Sequence, residues 1–305
     1  MYLTQLFDKA GFPAGVVNLV FGSGRSAGDR LVNHHQVRGI TFTGSTAVGV
    51  PLFEQASRRM AKVQLELGGK NPAVVWDYDD LDGAAKEIVT AAFLCSGQRC
   101  TALSRIIVSE READALAERV VHHTRQIKVG DGLEGGTMGP LVSHGQMKTV
   151  EEYVQKGLKE GANLLYGGQR LAEDPDQEGY YHEPTVFDNI DAASPLAQEE
   201  IFGPVLPILR VASFDQAIEI ANSTRYGLAA SLFTSRMKLV HHFIKSVEVG
   251  MIHVNHGTAS QAHVPFGGVK ESGYGAYSIG PTVKDFYTNL KSVYIRWEEL
   301  SLIHI

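Results

Sequence analysis

The chain has 305 residues, of which 44% are hydrophobic and 20% are charged, and its formal net charge at pH 7 is −6. This length allows one large domain or two ordinary ones, and this composition is typical of a globular protein. The acidic balance lacks the basic footprint of nucleic-acid binding, and no apolar run reaches the roughly 18 residues of a membrane span. We therefore expect neither a nucleic-acid partner nor a membrane.

The N-terminus and the cysteines indicate in which cellular compartment the protein is expected. The first residues, MYLTQLFD, carry neither a basic region nor the apolar core of a signal peptide. The two cysteines, Cys95 and Cys100, fit neither a disulfide framework nor a CxxC site, and no zinc or calcium motif occurs. Free thiols suit a reducing compartment, so we expect a cytoplasmic protein without a metal.

Short β-rich runs alternate with helical patterns along the whole chain. The predicted strands are 16–21, 39–42, 63–67, 73–76, 105–108, 205–211, 230–234 and 251–254. The predicted helices are 2–10, 27–34, 48–60, 81–94, 110–126, 145–160, 214–221 and 236–246, and the predicted long loops are 129–140 and 171–180. This alternation predicts an α/β fold around mostly parallel sheets.

Two glycine motifs each lie between a predicted strand and a predicted helix. In GSGRSAG at 22–28, Gly24 and Gly28 would let a dinucleotide approach the backbone, although an ordinary turn is as good an interpretation. In FTGST at 42–46, Gly44 and Ser45 would start a helix, where hydroxyl and amide groups either cap it or bind a pyrophosphate.

A carboxylate and a thiol form the chemical core of the prediction. Glu66 ends a predicted strand in LELGGKNP at 65–72, where α/β enzymes place reactive groups; alternatively it is a surface or capping residue. Cys100 ends GQRC at 97–100, and Arg99 and backbone amides should lower the pKa of its thiol. Cys95 continues an apolar run, so we predict it in the core. A thiol nucleophile and a carboxylate base suffice to form and hydrolyse a thioester.

Two later motifs add polar and aromatic groups. EEIFGPV at 199–205 contains Glu200 and Phe202, which would suit a ribose and a nicotinamide ring, or a plain loop with a packed phenylalanine. The glycine-rich segment PFGGVKESG at 265–273 is too polar for a core and predicts a loop near a site.

The order and spacing of these motifs resemble the aldehyde dehydrogenase superfamily over about residues 2–297. The resemblance implies that Cys100 is the nucleophile and Glu66 the general base, with NAD or NADP as cofactor. The residues that it assigns to the cofactor are Gly24, Gly28, Gly44, Ser45, Leu67, Glu200 and Phe202. It implies oxidation of an aldehyde to an acid through a thiohemiacetal and a thioester, with the Cys100 backbone N–H as one oxyanion donor.

The resemblance also implies an architecture. Residues 1–68 would be the C-terminal part of a Rossmann-like cofactor domain, 69–267 an α/β catalytic domain, and 268–305 a return segment and oligomerisation arm. The arm would include a strand at 292–297, and we expect a homodimer or homotetramer of the full-length parent. Family members are longer at the N-terminus, so we expect a truncated chain of impaired activity, and residues 300–305 would be foreign.

The sequence leaves alternatives open for the substrate and for the class of reaction. Arg99 would attract an acidic aldehyde, and the chain resembles the semialdehyde branch, which includes 2-oxoglutarate semialdehyde dehydrogenases; a structural role for Arg99 is equally good. One rival function is acyl transfer to coenzyme A or phosphate, which Glu66 disfavours because a hydrolytic base would waste the thioester. The other is a non-catalytic, truncated homologue with a binding or assembly role.

Overall fold

Helices and strands alternate along the computed structural model, which describes residues 2–171 and 179–297. The helices are α1 Tyr2–Lys9, α2 Asp29–Asn33, α3 Thr46–Ser57, α4 Leu81–Phe93, α5 Glu110–Thr124, α6 His144–Lys159, α7 Pro195–Gln198, α8 Phe214–Asn222, α9 Met237–Ser246 and α10 Val283–Tyr287. The strands are β1 Gly39–Thr43, β2 Lys62–Glu66, β3 Asn71–Val75, β4 Leu103–Ser109, β5 Asn163–Tyr166, β6 Thr185–Asp188, β7 Val205–Val211, β8 Tyr226–Gly227, β9 Ala229–Phe233, β10 Met251–Val254, β11 Val269–Lys270 and β12 Gly273–Tyr274. The predicted α/β class is confirmed.

The largest sheet has seven strands in the order β10-β9-β3-β4-β7-β6-β5. All its pairings are parallel except that of β5 with β6. Helices cover both faces: Ile88 of α4 and Leu116 of α5 are fully buried in one cluster, and Ile218 of α8 and Phe243 of α9 pack in another. Coverage on both sides explains why the central strands carry mostly apolar side chains on both faces.

Side-chain caps begin most of the helices that flank this sheet. Asp80 accepts a hydrogen bond from the N–H of Gly83 at α4, and Ser109, Ser143 and Ser213 cap α5, α6 and α8 in the same way. Each cap satisfies a backbone donor that the first helical turn leaves unpaired. These local signals explain why the helix starts were predicted closely.

A three-stranded sheet in the order β1-β2-β12 stands beside the large one. β1 and β2 run parallel, whereas the late strand β12 is antiparallel to β2, with Gly273 opposite Glu66. The C-terminal part of the chain thus returns to the strand that ends at Glu66. No helix among the described residues is long and apolar enough to cross a membrane.

Several predicted elements differ from the structure. Residues 16–21 form no strand and expose Val16, Val20 and Phe21, because no described strand lies beside them. Residues 292–297 also form no strand, and the helix predicted at 27–34 is a π-helical turn at Gly24–Gly28 followed by α2. The loop at 129–140 contains a short 3₁₀ turn, Gly132–Glu134. The loop at 171–180 lies mostly outside the described residues, and residues 300–305 lie entirely outside them.

Candidate active site

A cavity of about 730 Å³ lies where β2 of the small sheet meets the turn after α4. Its lining includes eight of the ten residues predicted for the site: Gly44, Ser45, Glu66, Leu67, Arg99, Cys100, Glu200 and Phe202. These residues come from four separate stretches of sequence, so the fold brings together residues that are far apart in the chain. Among the described residues, no group of three or more His, Cys, Asp or Glu side chains is arranged to hold a metal.

A left-handed turn carries the chain from α4 toward Cys100. Cys95, Ser96 and Gly97 have φ values of 55°, 59° and 71°. This region costs a residue with a β-carbon roughly 1–2 kcal/mol. Glycine is needed at position 97, since a β-carbon there would lie 2.3 Å from the carbonyl oxygen of Gly203. The turn also leaves Cys95 exposed, so its predicted place in the core is wrong.

The environment of Cys100 raises the pKa of its thiol, contrary to the prediction. Burial has the largest effect, the carboxylates of Glu66 and Glu200 add to it, and the backbone N–H groups of Thr101 and Cys100 oppose it. The Arg99 guanidinium instead donates to the carbonyl oxygen of Ala91 at 2.6 Å, in the last turn of α4. The thiol is therefore mostly protonated at neutral pH, and a base must take its proton.

Glu66 is a buried carboxyl at the C-terminal end of β2. Its side chain is nearly sealed, with 6% of its surface exposed, and Oε2 has no hydrogen-bond partner among the described residues. Burial raises the pKa of Glu66 to about 7, whereas hydrogen bonds from Ser278 oppose the rise. A carboxyl with this pKa exchanges protons readily at neutral pH, as a general base requires.

Glu200 reaches the same cavity from the segment between α7 and β7. Its Oε1 accepts a hydrogen bond of 3.0 Å from the backbone N–H of Gly69. Burial raises the pKa of Glu200, and the Gly69 N–H, Lys70 and Arg225 oppose the rise. The predictions did not include Gly68 and Gly69 in this contact; the paired glycines directly after Glu66 were the available signal.

Comparison with known proteins identifies the family. A sequence model of the aldehyde dehydrogenase family matches residues 1–293. The chain belongs to the aldehyde dehydrogenase family.

Individual relatives agree with this assignment. The chain is 42% identical over 292 residues to an alpha-ketoglutaric semialdehyde dehydrogenase of Bacillus subtilis, covering 95% of this chain and 60% of that protein. It is similar in structure to an NAD-dependent aldehyde dehydrogenase of Sinorhizobium meliloti (TM-score 0.92, 38% identity, 96% of this chain and 58% of that one). The structure of an indole-3-acetaldehyde dehydrogenase in complex with NAD+ is also similar, with a TM-score of 0.93 and 37% identity. The match covers 97% of this chain and 60% of that one. The chain thus spans about 60% of the length of these relatives.

The cavity of this aldehyde dehydrogenase family member is also lined by the residues that precede helix α3. Ser45 is the N-cap of the 12-residue helix α3, and its side chain makes no capping hydrogen bond within the described chain. Gly44 lies beside it, and a β-carbon at that position would meet the ring of Phe42 at 2.4 Å. Gly44 and Ser45 line the cavity, and a hydroxyl at a helix N-terminus fits an anionic group such as a pyrophosphate.

The other predicted cofactor residues divide between two places. Leu67 packs against α3, where a β-carbon on Gly49 would lie 2.6 Å from its methyl group, and Phe202 exposes 39% of its surface at the cavity. Gly24 and Gly28 lie in the exposed π-helical turn, whose start is capped by Ser23, and neither lines the cavity. The structure therefore brings these two glycines to a different surface from the thiol and its carboxylates.

The tight packing of Glu200 makes Gly68 sensitive to substitution. A β-carbon at position 68 would lie 2.1 Å from Oε2 of Glu200. On the hypothesis that Glu200 accepts hydrogen bonds from the cofactor ribose, we expect Gly68→Ala to displace that carboxylate and to weaken NAD binding at least about tenfold, the effect of losing one such charge-assisted hydrogen bond. Gly145→Ala is the matched control, because a β-carbon there has its nearest neighbour at 3.8 Å. Calorimetric titration with NAD measures both variants; equal affinities would contradict the expectation.

Proposed function

We propose that the protein oxidises an aldehyde to a carboxylic acid with NAD or NADP, through a thioester on Cys100 that Glu66 helps to hydrolyse. The observation that carries this proposal is that one cavity holds both the thiol and a carboxyl whose pKa is about 7. The Glu66 carboxylate also contributes to the raised pKa of the Cys100 thiol. Family membership supports the same chemistry.

The cavity residues fit the cofactor that this reaction needs. We assign the nicotinamide ribose to Glu200 and the ring to Phe202, with Leu67 beside them. Ser45, Gly44 and the first amides of α3 would take the pyrophosphate. Gly24 and Gly28 would take the adenine side, on the exposed surface of the π-helical turn. A nicotinamide held by these residues would serve as the acceptor for the hydride that leaves the substrate carbon.

The side chains of this protein supply the remaining steps. The Cys100 thiol gives up its proton to solvent, and the resulting thiolate attacks the aldehyde carbonyl. The backbone N–H of Cys100 would stabilise the oxyanion of the thiohemiacetal. After oxidation leaves a thioester, Glu66 takes a proton from water, which attacks the acyl carbon. The acid departs and the thiol is restored.

Steady-state turnover of the 305-residue chain tests the proposal. With NAD and a simple aldehyde, we expect reduced nicotinamide and acid in equal amounts, and loss of both after alkylation of Cys100. Turnover that survives complete alkylation of that residue would remove the thioester route. An acyl group recovered on added coenzyme A in place of free acid would support acyl transfer.

We further propose that the substrate is an acidic semialdehyde, because the Bacillus relative is an alpha-ketoglutaric semialdehyde dehydrogenase and Arg99 lines the cavity. Arg99→Ala should raise KM for acidic aldehydes by about tenfold or more, the value of a charge-assisted contact, and change KM for neutral aldehydes little. Arg119→Ala is the control, since Arg119 also donates to a helix carbonyl but lies outside the cavity. Equal changes for both substrate classes would assign Arg99 a purely structural role.

The exposed parts of the chain support two further proposals, one about assembly and one about cofactor affinity. Apolar side chains at 2–21 and at 293–297 are exposed, among them Phe21, Tyr294 and Trp297. We propose that residues 268–305 serve as an oligomerisation arm in a homodimer or homotetramer, beside a cofactor domain at 1–68 and a catalytic domain at 69–267. We also propose that the 305-residue chain binds the dinucleotide more weakly than longer relatives do. The two free thiols support a cytoplasmic location.

A further inference from the structure

The side chain of Asn71 links the nucleophile loop to the central sheet. Asn71 is the first residue of β3 and is 1% exposed. Its Nδ2 donates to the carbonyl oxygens of Cys100 at 2.8 Å and Ala102 at 2.9 Å. Its Oδ1 accepts from the backbone N–H of Ala229, at the start of β9, at 3.0 Å. Both N–H donors of the amide and its oxygen are thus in use.

These contacts act on the peptide group directly after the nucleophile. The peptide group directly before it is held separately, because the Arg99 carbonyl accepts from the N–H of Ala102 at 3.0 Å. One residue further on, Thr258 donates to the carbonyl oxygen of Thr101. With both flanking peptide groups held, the backbone dihedral angles of Cys100 are set, and so are the directions of its Cα–Cβ bond and its N–H.

The fit around Asn71 leaves little room for adjustment. A β-carbon on Gly69 would lie 2.8 Å both from the Cys100 carbonyl oxygen and from Oδ1 of Asn71. The absence of a side chain at Gly69 therefore allows the nucleophile loop to approach the turn between β2 and β3. The same turn carries the N–H that binds Glu200, so small changes here move groups on both sides of the cavity.

We propose that Asn71 is a positioning residue for catalysis, which aligns the Cys100 thiolate and the Cys100 N–H with the substrate carbonyl. This inference rests on the proposed function, because it takes Cys100 as the nucleophile. Asn71 acts through the loop and does not line the cavity. A displacement of about 1 Å in such a geometry costs on the order of 10²-fold in rate.

Two reactions of the Cys100 thiol distinguish a positioning role of Asn71 from a general effect on folding. Acylation by 4-nitrophenyl acetate requires attack on a carbonyl and stabilisation of an oxyanion, and it needs no cofactor. Alkylation by iodoacetamide requires the thiolate but no oxyanion donor. Mass spectrometry of the peptides assigns each reaction to Cys100 rather than to the exposed Cys95. Thermal unfolding shows whether each variant is folded at the assay temperature.

For Asn71→Ala we expect acylation of Cys100 to slow by about 10²-fold, while alkylation and the affinity for NAD change little. Asn222→Ala is the control, because that amide also joins two backbone groups, the Ser246 carbonyl and the Glu248 N–H, both at 2.8 Å, and lies outside the cavity. Asn71→Ser keeps one hydrogen-bond donor and replaces Asn71→Ala in the test if the alanine variant does not fold. Its rate of Cys100 acylation should lie between that of the wild type and the rate expected for Asn71→Ala.

The outcomes distinguish this inference from the function on which it rests. Acylation of both Asn71 variants at the wild-type rate, or acylation and alkylation lowered in equal proportion, would overturn the positioning role. If Cys100→Ala retained the acylation burst of the wild type, the proposed function would fall and this inference with it. Loss of the burst in Cys100→Ala, with normal acylation in Asn71→Ala, would overturn the role of Asn71 alone.

Discussion

Cys100→Ala should lose aldehyde-dependent reduction of NAD by at least about 10⁴-fold, as expected when the nucleophile of a covalent mechanism is removed. The side chain is only partly buried, so the free energy of unfolding should change by no more than about 1 kcal/mol. Stopped-flow and steady-state absorbance of reduced nicotinamide, with a urea titration beside them, measure both quantities.

The second cysteine supplies the control for this experiment. Cys95 lies five residues earlier, is exposed and does not line the cavity. Alanine there keeps the β-carbon, so the left-handed turn is under the same strain as before. Cys95→Ala should therefore have the turnover of the wild type. The account would be wrong if the two substitutions had equal effects, or if Cys100→Ala kept a tenth of the activity.

Glu66→Gln should stop the reaction after the thioester has formed. Glutamine has nearly the same shape but cannot take a proton from water, so thioester hydrolysis should slow by about 10²–10⁴-fold, the usual contribution of a general base. A pre-steady-state burst of reduced nicotinamide should remain, followed by very slow turnover. Glu112→Gln is the control: Glu112 is a buried carboxylate that accepts from the N–H groups of Asp77 and Tyr78 and lies outside the cavity.

The pH dependence of the wild type follows from the same carboxyl. Its pKa is about 7, and only the ionised form is a base. Where hydrolysis limits turnover, the rate should rise about tenfold per pH unit below pH 7 and level off above it. Glu66→Gln should lack this rise. Deacylation rates of the acetylated enzyme between pH 5 and 9 measure the profile; a wild-type rate independent of pH would contradict the assignment.

The order of the motifs was the strongest part of the sequence prediction. Glu66, Cys100 and Glu200 were found because each lies in a distinctive short motif, and the strands around β2, β3 and β4 were found from their apolar runs. The segment at 16–21 has the same kind of composition, yet it forms no strand, since a strand needs a partner and none lies beside it among the described residues. Composition alone does not supply that information.

The electrostatics of the site were predicted less well. The thiol pKa was expected to fall because Arg99 is its neighbour in sequence. In the structure Arg99 binds a helix carbonyl, whereas Glu66 and Glu200, far from Cys100 in sequence, line the same cavity and raise the pKa of its thiol. The contacts of Asn71 with Cys100 and Ala229 join β3 to two other segments, so they too become visible only once the sheet is assembled.

The most direct test of the account is to look for an acyl group on Cys100. Glu66→Gln is mixed with NAD and an aldehyde, quenched in acid and digested, and the peptide that contains Cys100 is weighed by mass spectrometry. The account predicts that this peptide gains the mass of the aldehyde less two hydrogens, and that hydroxylamine removes the gain. An unmodified Cys100 peptide in a sample that has reduced NAD, or an acyl group on another residue, would contradict it.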